Sequence, residues 1–390
     1  MSTVLTVNAG SASLHLAYLR DGTVTDRLDL SGSPGSEEVG RAVTEFVARH
    51  DRPDAVGHRL VHGGDVLRAP ARVDDATRAA LEPLAELAPL HLPPALALLD
   101  RLRAGLPDVP HVVCPDTAFH ADLPDAAATY PLPAEWRRRW GLRRYGFHGL
   151  SYAYATRRAA RLLDRPVAEL RLVLAHLGGG ASVCAVREGR SVDTSMGFTP
   201  LDGIPMSRRS GAVDPGMLLW LLDGRLDREE LADGLYHQSG LLGLADGRSD
   251  DTRDLVAAAP DDPAAALALR VYAHQVRREI AAAATSLDRV DALVFTGEIG
   301  WDQPEVRYDI CAGLGPLGVP LPVGGNRASD GPVSPPGAAI PVLVVEPREE
   351  MQLAEETLRV LDAVPASASG RGLRVPAPSA GIANPDAYGV

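Results

Sequence analysis

The sequence predicts a duplicated α/β protein with a ligand cleft between its two copies. One observation is the stretch Leu172–Ser182, LVLAHLGGGAS, which reads as a buried strand running into a glycine turn. Gly178, Gly179 and Gly180 carry no Cβ, so nothing blocks a phosphate from their backbone N–H groups. A second is Val4–Ser13, VLTVNAGSAS, which has the same plan with Asn8 in the place of His176. A third is the return strand after each turn. Apolar runs, Leu14–Leu19 and Val183–Val186, end in short charged turns, Arg20-Asp21-Gly22 and Arg187-Glu188-Gly189. A hairpin with a phosphate-sized turn, used twice about half a chain apart, is the mark of a duplicated unit.

Composition narrows the classes. The chain has 390 residues, enough for two domains, with 45% hydrophobic and 23% charged residues, as in globular proteins. A net charge of −12 argues against nucleic acid as a partner. No run approaches the ~18 apolar residues of a membrane helix. The N-terminal stretch is already strand-like and lacks a basic leader, so a cytoplasmic location is expected. Cys114, Cys184 and Cys311 lack metal-site spacing and read as core residues of a reducing compartment. The sequence holds no lysine, and all 39 basic residues are arginine. A Walker-type phosphate loop and a Schiff-base pyridoxal enzyme both need lysine, so both are excluded. Phosphate chemistry must rest on arginine forks, backbone amides and metal.

Taken in order, Glu37–His50 is an amphipathic helix. Asp54–Gly64 is a strand running to paired glycines, with Arg59 set to enter a cleft or meet a carboxylate. Asp74–Leu87 and Pro93–Leu106 are helices. His111–Cys114 is a strand, and Asp116 at its end is a prime candidate, because ligands of open α/β sheets sit at strand ends. Trp136–Gly149, with its Tyr-Gly-Phe-His-Gly, reads as a site loop. Ser151–Asp164 is a helix. Ser191–Asp214 shows no helix or strand, and a loop this long is usually functional; its Arg208-Arg209 pair looks like an anion clamp. Ser239–Asp254 is a polar glycine loop, and Ala264–Leu287 a long helix. Asp291–Gly300 is a strand into a glycine turn, Ala339–Val345 the last strand, and Glu349–Val364 the closing helix. Residues 365–390, rich in Ala, Ser, Pro and Gly, read as a disordered tail.

These motifs resemble the acetate and propionate kinase family, within the actin, sugar-kinase and Hsp70 superfamily. The likeness runs over residues 3–364 through NAGSAS, GHRLVHGG, PLHLPP, CPDTAFH, RRYGFHG, HLGGGAS, DTSMGFTPLDG, RRSGAVDP, SGLLGL, SDDTRD, FTGEIG and PREE. It implies duplicated actin-like (ribonuclease H-like) domains: residues 1–119 with 349–364, then 120–348 with the nucleotide site. It implies direct in-line transfer from ATP to acetate, giving ADP and acetyl phosphate, in a homodimer.

The resemblance also implies roles. Arg59 and Arg209 bind the carboxylate and the moving phosphoryl group, and His148 and His176 stabilise it. Asp116 positions acetate and helps hold magnesium or manganese, with Asn8 and Glu349 completing the metal shell. Val61, Leu90, Phe147 and Pro200 form the acyl pocket. Gly178, Gly179, Gly180, Asp251, Arg253, Gly297, Glu298, Ile299 and Gly300 lie on the nucleotide side with His176.

The sequence departs from the family pattern chiefly at the nucleotide half. Gly179 stands for the family's asparagine and His15 for its lysine. Ser207-Arg208 stands for Gly-Thr, and Gly297-Glu298-Ile299-Gly300-Trp301-Asp302 for GGIGEN. Glu298 brings negative charge beside the nucleotide. A pyrophosphate-dependent kinase, a kinase for another carboxylate, and a non-catalytic family member are the alternative readings.

Overall fold

The computed structural model describes residues 2–10, 13–32, 34–89, 91–326 and 329–363. Its twelve strands form two six-stranded sheets. The first holds β1 (Thr3–Ala9), β2 (Ser13–Arg20), β3 (Thr23–Ser31), β4 (Ala55–Leu60), β5 (Ala71–Arg72) and β6 (His111–Pro115) in the order β3-β2-β1-β4-β6-β5. The second holds β7 (Arg171–Leu177), β8 (Ala181–Arg187), β9 (Arg190–Thr194), β10 (Ala292–Thr296), β11 (Gly331–Pro332) and β12 (Val342–Val344) in the order β9-β8-β7-β10-β12-β11. In both, three antiparallel strands are followed by two parallel crossovers and a short antiparallel edge.

The likeness of the copies extends below topology. The charged turns have positive φ at equivalent residues, Asp21 and Gly22 in one copy and Glu188 and Gly189 in the other. That pair of left-handed residues is the turn whose twist matches the flanking strands. Each hairpin also shifts register at the same place, between Tyr18 and Leu19 and between Ala185 and Val186. The expected duplication of an α/β unit is therefore what the chain forms.

Helices cover the sheets because their apolar faces need the sheet surface and their first turns carry caps. Ser36, Asp74 and Asp262 accept backbone N–H bonds at the starts of the Glu37–Ala48, Asp75–Leu81 and Pro263–Thr285 helices. The Gly149–Leu162 helix packs on β7, and the last helix, Glu349–Asp362, packs on β1, β4 and β6 of the first sheet. All three cysteines are buried and unpaired. Among the described residues, no helix is long and apolar enough to cross a membrane.

Several sequence expectations are corrected. Ser191–Thr194 belongs to β9, whose pairing with β8 overrides its polar composition. Asp74–Leu87 is broken by Pro83 into the Asp75–Leu81 helix and a 3₁₀ segment, Glu82–Leu87. The glycine loop Ser239–Asp254 contains a helix, Gly240–Leu244, and reaches into another, Thr252–Ala258. The turn after β10 is the start of a helix, Gly297–Asp302. Part of the 136–149 loop is the Ala134–Trp140 helix. The tail, 365–390, lies outside the described residues.

Buried imidazoles make the fold acid-sensitive. Burial lowers His62, His111 and His120 to about 4 from an ordinary 6.5. These side chains stay neutral in the native state, while the unfolded chain takes up protons near pH 6.5. Stability is complete above that pH and declines as pH falls toward 4. The urea midpoint should drop steadily between pH 7 and pH 5; a flat midpoint would show that the imidazoles are not held neutral.

Candidate active site

Three neighbouring parallel strands deliver one polar residue each to the same end of the first sheet. Asn8 on β1 lies in register with Arg59 on β4, and Arg59 with Cys114 on β6, two residues before Asp116. Asp116 is 1% exposed, and its carboxylate accepts from Arg59 Nε at 3.0 Å and from Nη2 at 2.6 Å. Arg59 Nη1 donates to Asn8 Oδ1 at 2.8 Å, and Asn8 Nδ2 donates to Glu349 Oε2 at 3.0 Å. Burial opposes the Arg59 charge, but the Asp116 and Glu349 carboxylates outweigh it and hold the guanidinium ionised. Burial raises the Asp116 carboxyl, against the pull of Arg59. A guanidinium has five N–H donors. These contacts engage three, leaving two for an anion.

Two histidines from the second copy stack beside this group. His148 and His176 lie with ring centroids 4.2 Å apart and planes 20° from parallel. His176 lies at the end of β7. His148 sits at the N-terminus of the Gly149–Leu162 helix with φ of 59°, a left-handed conformation that turns the chain from loop into helix. Burial lowers His176 to about 4 and takes His148 well below its usual range, with His176, Arg59 and Arg209 adding to the second shift. Hydroxyls bond the inner nitrogen of each ring. Tyr152 Oη lies 2.6 Å from Ser182 Oγ, and Ser182 Oγ lies 2.9 Å from His148 Nδ1. Ser151 Oγ lies 2.8 Å from His176 Nδ1. When these hydroxyls donate to Nδ1, a neutral ring carries its proton on Nε2 and presents it as a donor.

Arg209 anchors by donating from Nη1 to the Pro200 carbonyl at 2.8 Å. Nη2 points to the glycine turn between β7 and β8. A Cβ on Gly180 would lie 3.1 Å from both Arg209 Nη2 and His148 Nε2. None of Gly178, Gly179 and Gly180 has positive φ. Close approach is the case at Gly180 alone; a Cβ on Gly178 would make ordinary contacts and one on Gly179 none. Val61 and Phe147 are buried in one apolar cluster, with Pro200 buried nearby in the chain that holds Arg209. Leu90 lies outside the described residues.

Of the residues expected on the nucleotide side, Gly179, Asp251, Arg253, Glu298 and Ile299 line a cavity of about 550 Å³ together with Trp301, whereas His176, Gly178, Gly180, Gly297 and Gly300 are not in its walls. Asp251 accepts from the Arg253 backbone N–H at 2.8 Å, capping the Thr252–Ala258 helix, and pairs with the Arg253 guanidinium at 2.6 Å. Gly297 has φ of 77° and packs so tightly on Leu177 that no side chain fits. Gly300 is held from behind by the buried Arg307, which donates to its carbonyl at 2.9 Å. Glu298 is exposed in the first turn of the Gly297–Asp302 helix, where a carboxylate suits the dipole. Arg248 pairs with Asp262, and Glu298 forms no ion pair among the described residues.

The Arg208-Arg209 clamp is a further correction. Arg208 is exposed and pairs with Asp250 at 2.7 Å, so only Arg209 faces the anion position. Sequence reasoning also missed the residues that orient the histidines. Ser182 lies across from His176 in the hairpin register, and Ser151 and Tyr152 lie three and four residues after His148, so proximity was the available signal. His91 was missed as well. It feels the charges of both Arg209 and Arg59, which with burial lower it to about 4.

The asparagine, the two carboxylates and their spacing offer only oxygen ligands. Among the described residues, no cluster of three or more His, Cys, Asp or Glu side chains would hold a metal alone. Such a set fits a hard divalent cation that keeps waters and takes its remaining ligands from phosphate.

Two copies of one α/β unit with an anion-clamping cleft at their strand ends make this a phosphotransferase of the actin-like class. The chain belongs to the acetokinase family, whose model matches residues 40–355. It is 45% identical over 393 residues to the acetate kinase of Clavibacter michiganensis subsp. michiganensis, covering 92% of this chain and 99% of that one. Among solved structures, the Porphyromonas gingivalis acetate kinase superposes with a TM-score of 0.83 at 30% identity, covering 93% of this chain and 100% of that one. A propionate kinase from Francisella tularensis subsp. tularensis also superposes at 0.83, with 31% identity and 92% and 100% coverage.

Gly180→Ala should place a methyl group where Arg209 and His148 converge. At 3.1 Å these groups must give by a few tenths of an ångström, short of the ångström that costs about a hundredfold in rate. We expect kcat to fall severalfold with the melting temperature unchanged. A fully active alanine variant would place the reacting anion elsewhere.

Proposed function

We propose that this chain transfers the γ-phosphoryl group of ATP directly to acetate, giving ADP and acetyl phosphate, reversibly. A carboxylate oxygen attacks the γ-phosphorus as the bond to the β-bridging oxygen breaks, and no proton need move. The observation that carries this reading is the convergence of Arg209 Nη2 and His148 Nε2 on the vacant side-chain position of Gly180. In such a transition state charge spreads over the phosphoryl oxygens, so positioned donors do the catalysis. Arg59 supplies its two spare N–H groups to the carboxylate, and Arg209 bridges toward the phosphoryl. His148 and His176, neutral and donating from Nε2, add hydrogen bonds without adding charge. Asp116 positions Arg59. Magnesium, or manganese, bound with the nucleotide would be held through Asn8, Glu349 and Asp116 and would neutralise phosphate charge.

The burial of Val61 and Phe147 in one apolar cluster, with Pro200 buried as well, supports a short carboxylate. The domain assignment, residues 1–119 with 349–364 and then 120–348, is supported by the last helix packing on the first sheet. A homodimer is supported by the Pro215–Leu222 helix, which has no buried residue and exposes Met217, Leu219, Trp220 and Leu222 together. A cytoplasmic location accords with three free cysteines.

The direct test is an acyl-hydroxamate assay across acetate, propionate and butyrate with ATP or pyrophosphate as donor. Acetate with ATP should give the highest kcat/KM. Turnover with pyrophosphate alone would replace the ATP reading. Val61→Ala should shift preference toward the longer acids by the ~1–3 kcal/mol a methylene is worth. An unchanged ratio would remove Val61 from the acyl wall.

Glu298 bears on the donor. Its carboxylate stands at the rim of a cavity that also carries Asp250, Asp251, Asp302 and Glu346. Like charge weakens polyphosphate binding there. Glu298→Gly should lower KM for ATP severalfold and leave KM for acetate unchanged. A KM for ATP that stays the same or rises would take Glu298 out of donor recognition.

A further inference from the structure

His148 is held from behind by two hydroxyls that come from different elements. Tyr152 lies one turn on in the Gly149–Leu162 helix, and Ser182 lies on β8, across from His176. Both side chains are fully buried. Tyr152 packs edge-on against the rings of His120 and His176. Burial pushes its phenol well above the ordinary range, so the hydroxyl keeps its hydrogen.

The direction of this chain follows from counting hydrogens. Tyr152 Oη lies 2.6 Å from Ser182 Oγ, which lies 2.9 Å from His148 Nδ1. Neither hydroxyl has another acceptor in reach among the described residues. If Ser182 donated to Tyr152, the phenol hydrogen would be buried without an acceptor. If His148 donated from Nδ1 to Ser182 while Tyr152 did the same, the serine hydrogen would be left over. Only donation from Tyr152 to Ser182, and from Ser182 to Nδ1, bonds every hydrogen, and buried donors without acceptors are costly and rare. The other edge of the ring agrees. Nε2 and Arg209 Nη2 each come to 3.1 Å from one point, the Cβ position of Gly180, and no hydrogen bond joins them among the described residues. Two donors meeting there leave a place for an acceptor. The backbone is fixed as well: the left-handed His148 follows Phe147, whose carbonyl accepts from His120 Nε2 at 2.9 Å.

We propose that Ser182, its hydroxyl locked by Tyr152, is a positioning residue that keeps the proton of His148 on Nε2, facing the phosphoryl oxygens during transfer. The catalytic part of this rests on the phosphoryl-transfer reading above; the direction of the hydrogen-bond chain does not. With the proton on Nδ1, Nε2 would turn a lone pair toward the developing negative charge. The loss would then fall on the transition state rather than on binding of either substrate, and so on kcat rather than KM. Tyr152 acts only through Ser182. It fills an acceptor position of the serine oxygen and leaves the serine hydrogen only the ring to bond.

Nuclear magnetic resonance locates the proton directly. Two-bond proton–nitrogen spectra of the full chain, labelled in its histidine nitrogens, separate rings protonated on Nε2 from those protonated on Nδ1. His148→Gln assigns the His148 signals by their loss. The unmodified protein should show His148 neutral with its proton on Nε2. In Ser182→Ala the Nδ1 resonance should move toward that of an unbonded nitrogen. Its kcat should fall about tenfold, short of the ~100-fold cost of losing an oxyanion donor outright, with KM for acetate and for ATP unchanged. Tyr152→Phe should lower kcat severalfold on its own and not at all in the Ser182→Ala background, because residues that act through one another are not additive. A His148 proton on Nδ1 in the unmodified protein overturns the proposal. So does a kcat unchanged by Ser182→Ala, or a Tyr152→Phe loss that persists undiminished in the double variant. The spectra are taken without substrate, so they stand or fall independently of acetate and ATP as the substrates.

Discussion

The buried pair of Asp116 and Arg59 is the contact on which the rest of the site depends. A carboxylate at 1% exposure is costly unless matched, and Arg59 matches both of its oxygens. The same guanidinium then reaches Asn8 on a third strand, and Asn8 reaches Glu349 on the last helix. Four segments far apart in sequence are thereby joined through one planar group. A lysine has a single ammonium and cannot serve two partners in two directions with this geometry. Breaking one side of such a pair costs about 3–5 kcal/mol, because the other charge stays buried. Arg59 therefore holds the fold together, and its two remaining donors are aimed by the same bonds.

Charge at the cleft is balanced so that the substrates decide its sign. Arg59 and Arg209 are opposed by Asp116 and Glu349, and the imidazoles add nothing because burial and the arginines keep them neutral. Cationic histidines would hold phosphate more tightly before and after transfer as well as during it, and uniform binding does not speed the step. Neutral donors favour the moment when charge is most spread over the phosphoryl oxygens. Tyr152 and Ser182 matter because the serine hydroxyl, itself bonded by the phenol, bonds the inner nitrogen of His148 and holds the ring in place.

The features legible in the sequence came from local pattern. Repeated strand–glycine hairpins revealed the duplication, and polar residues at the ends of apolar runs marked Asn8, Arg59, Asp116 and His176. The features that stayed hidden depend on partners distant along the chain. β9 is polar and short and exists because β8 offers it an edge. Arg208 and Arg209 are adjacent in sequence but turn apart, one to Asp250 and one to the Pro200 carbonyl. The glycine turns were placed from the sequence as Cβ-free stretches open to close approach, but that Arg209 and His148 are what come close at Gly180 no local rule reports.

The duplication also explains how one cleft holds two different kinds of group. Asn8 and His176 occupy the same position in their hairpins, and Arg59 and Thr296 are their equivalent neighbours across the sheet. The first copy places an amide and a cation there, which suit a carboxylate and a metal. The second places a neutral imidazole and, directly after Thr296, Gly297 opening a helix beside Leu177. A neutral imidazole beside the Cβ-free turn at residues 178–180 suits phosphate. Equivalent strand ends thus face one another with unlike chemistry, and transfer from one side to the other follows from where the copies meet.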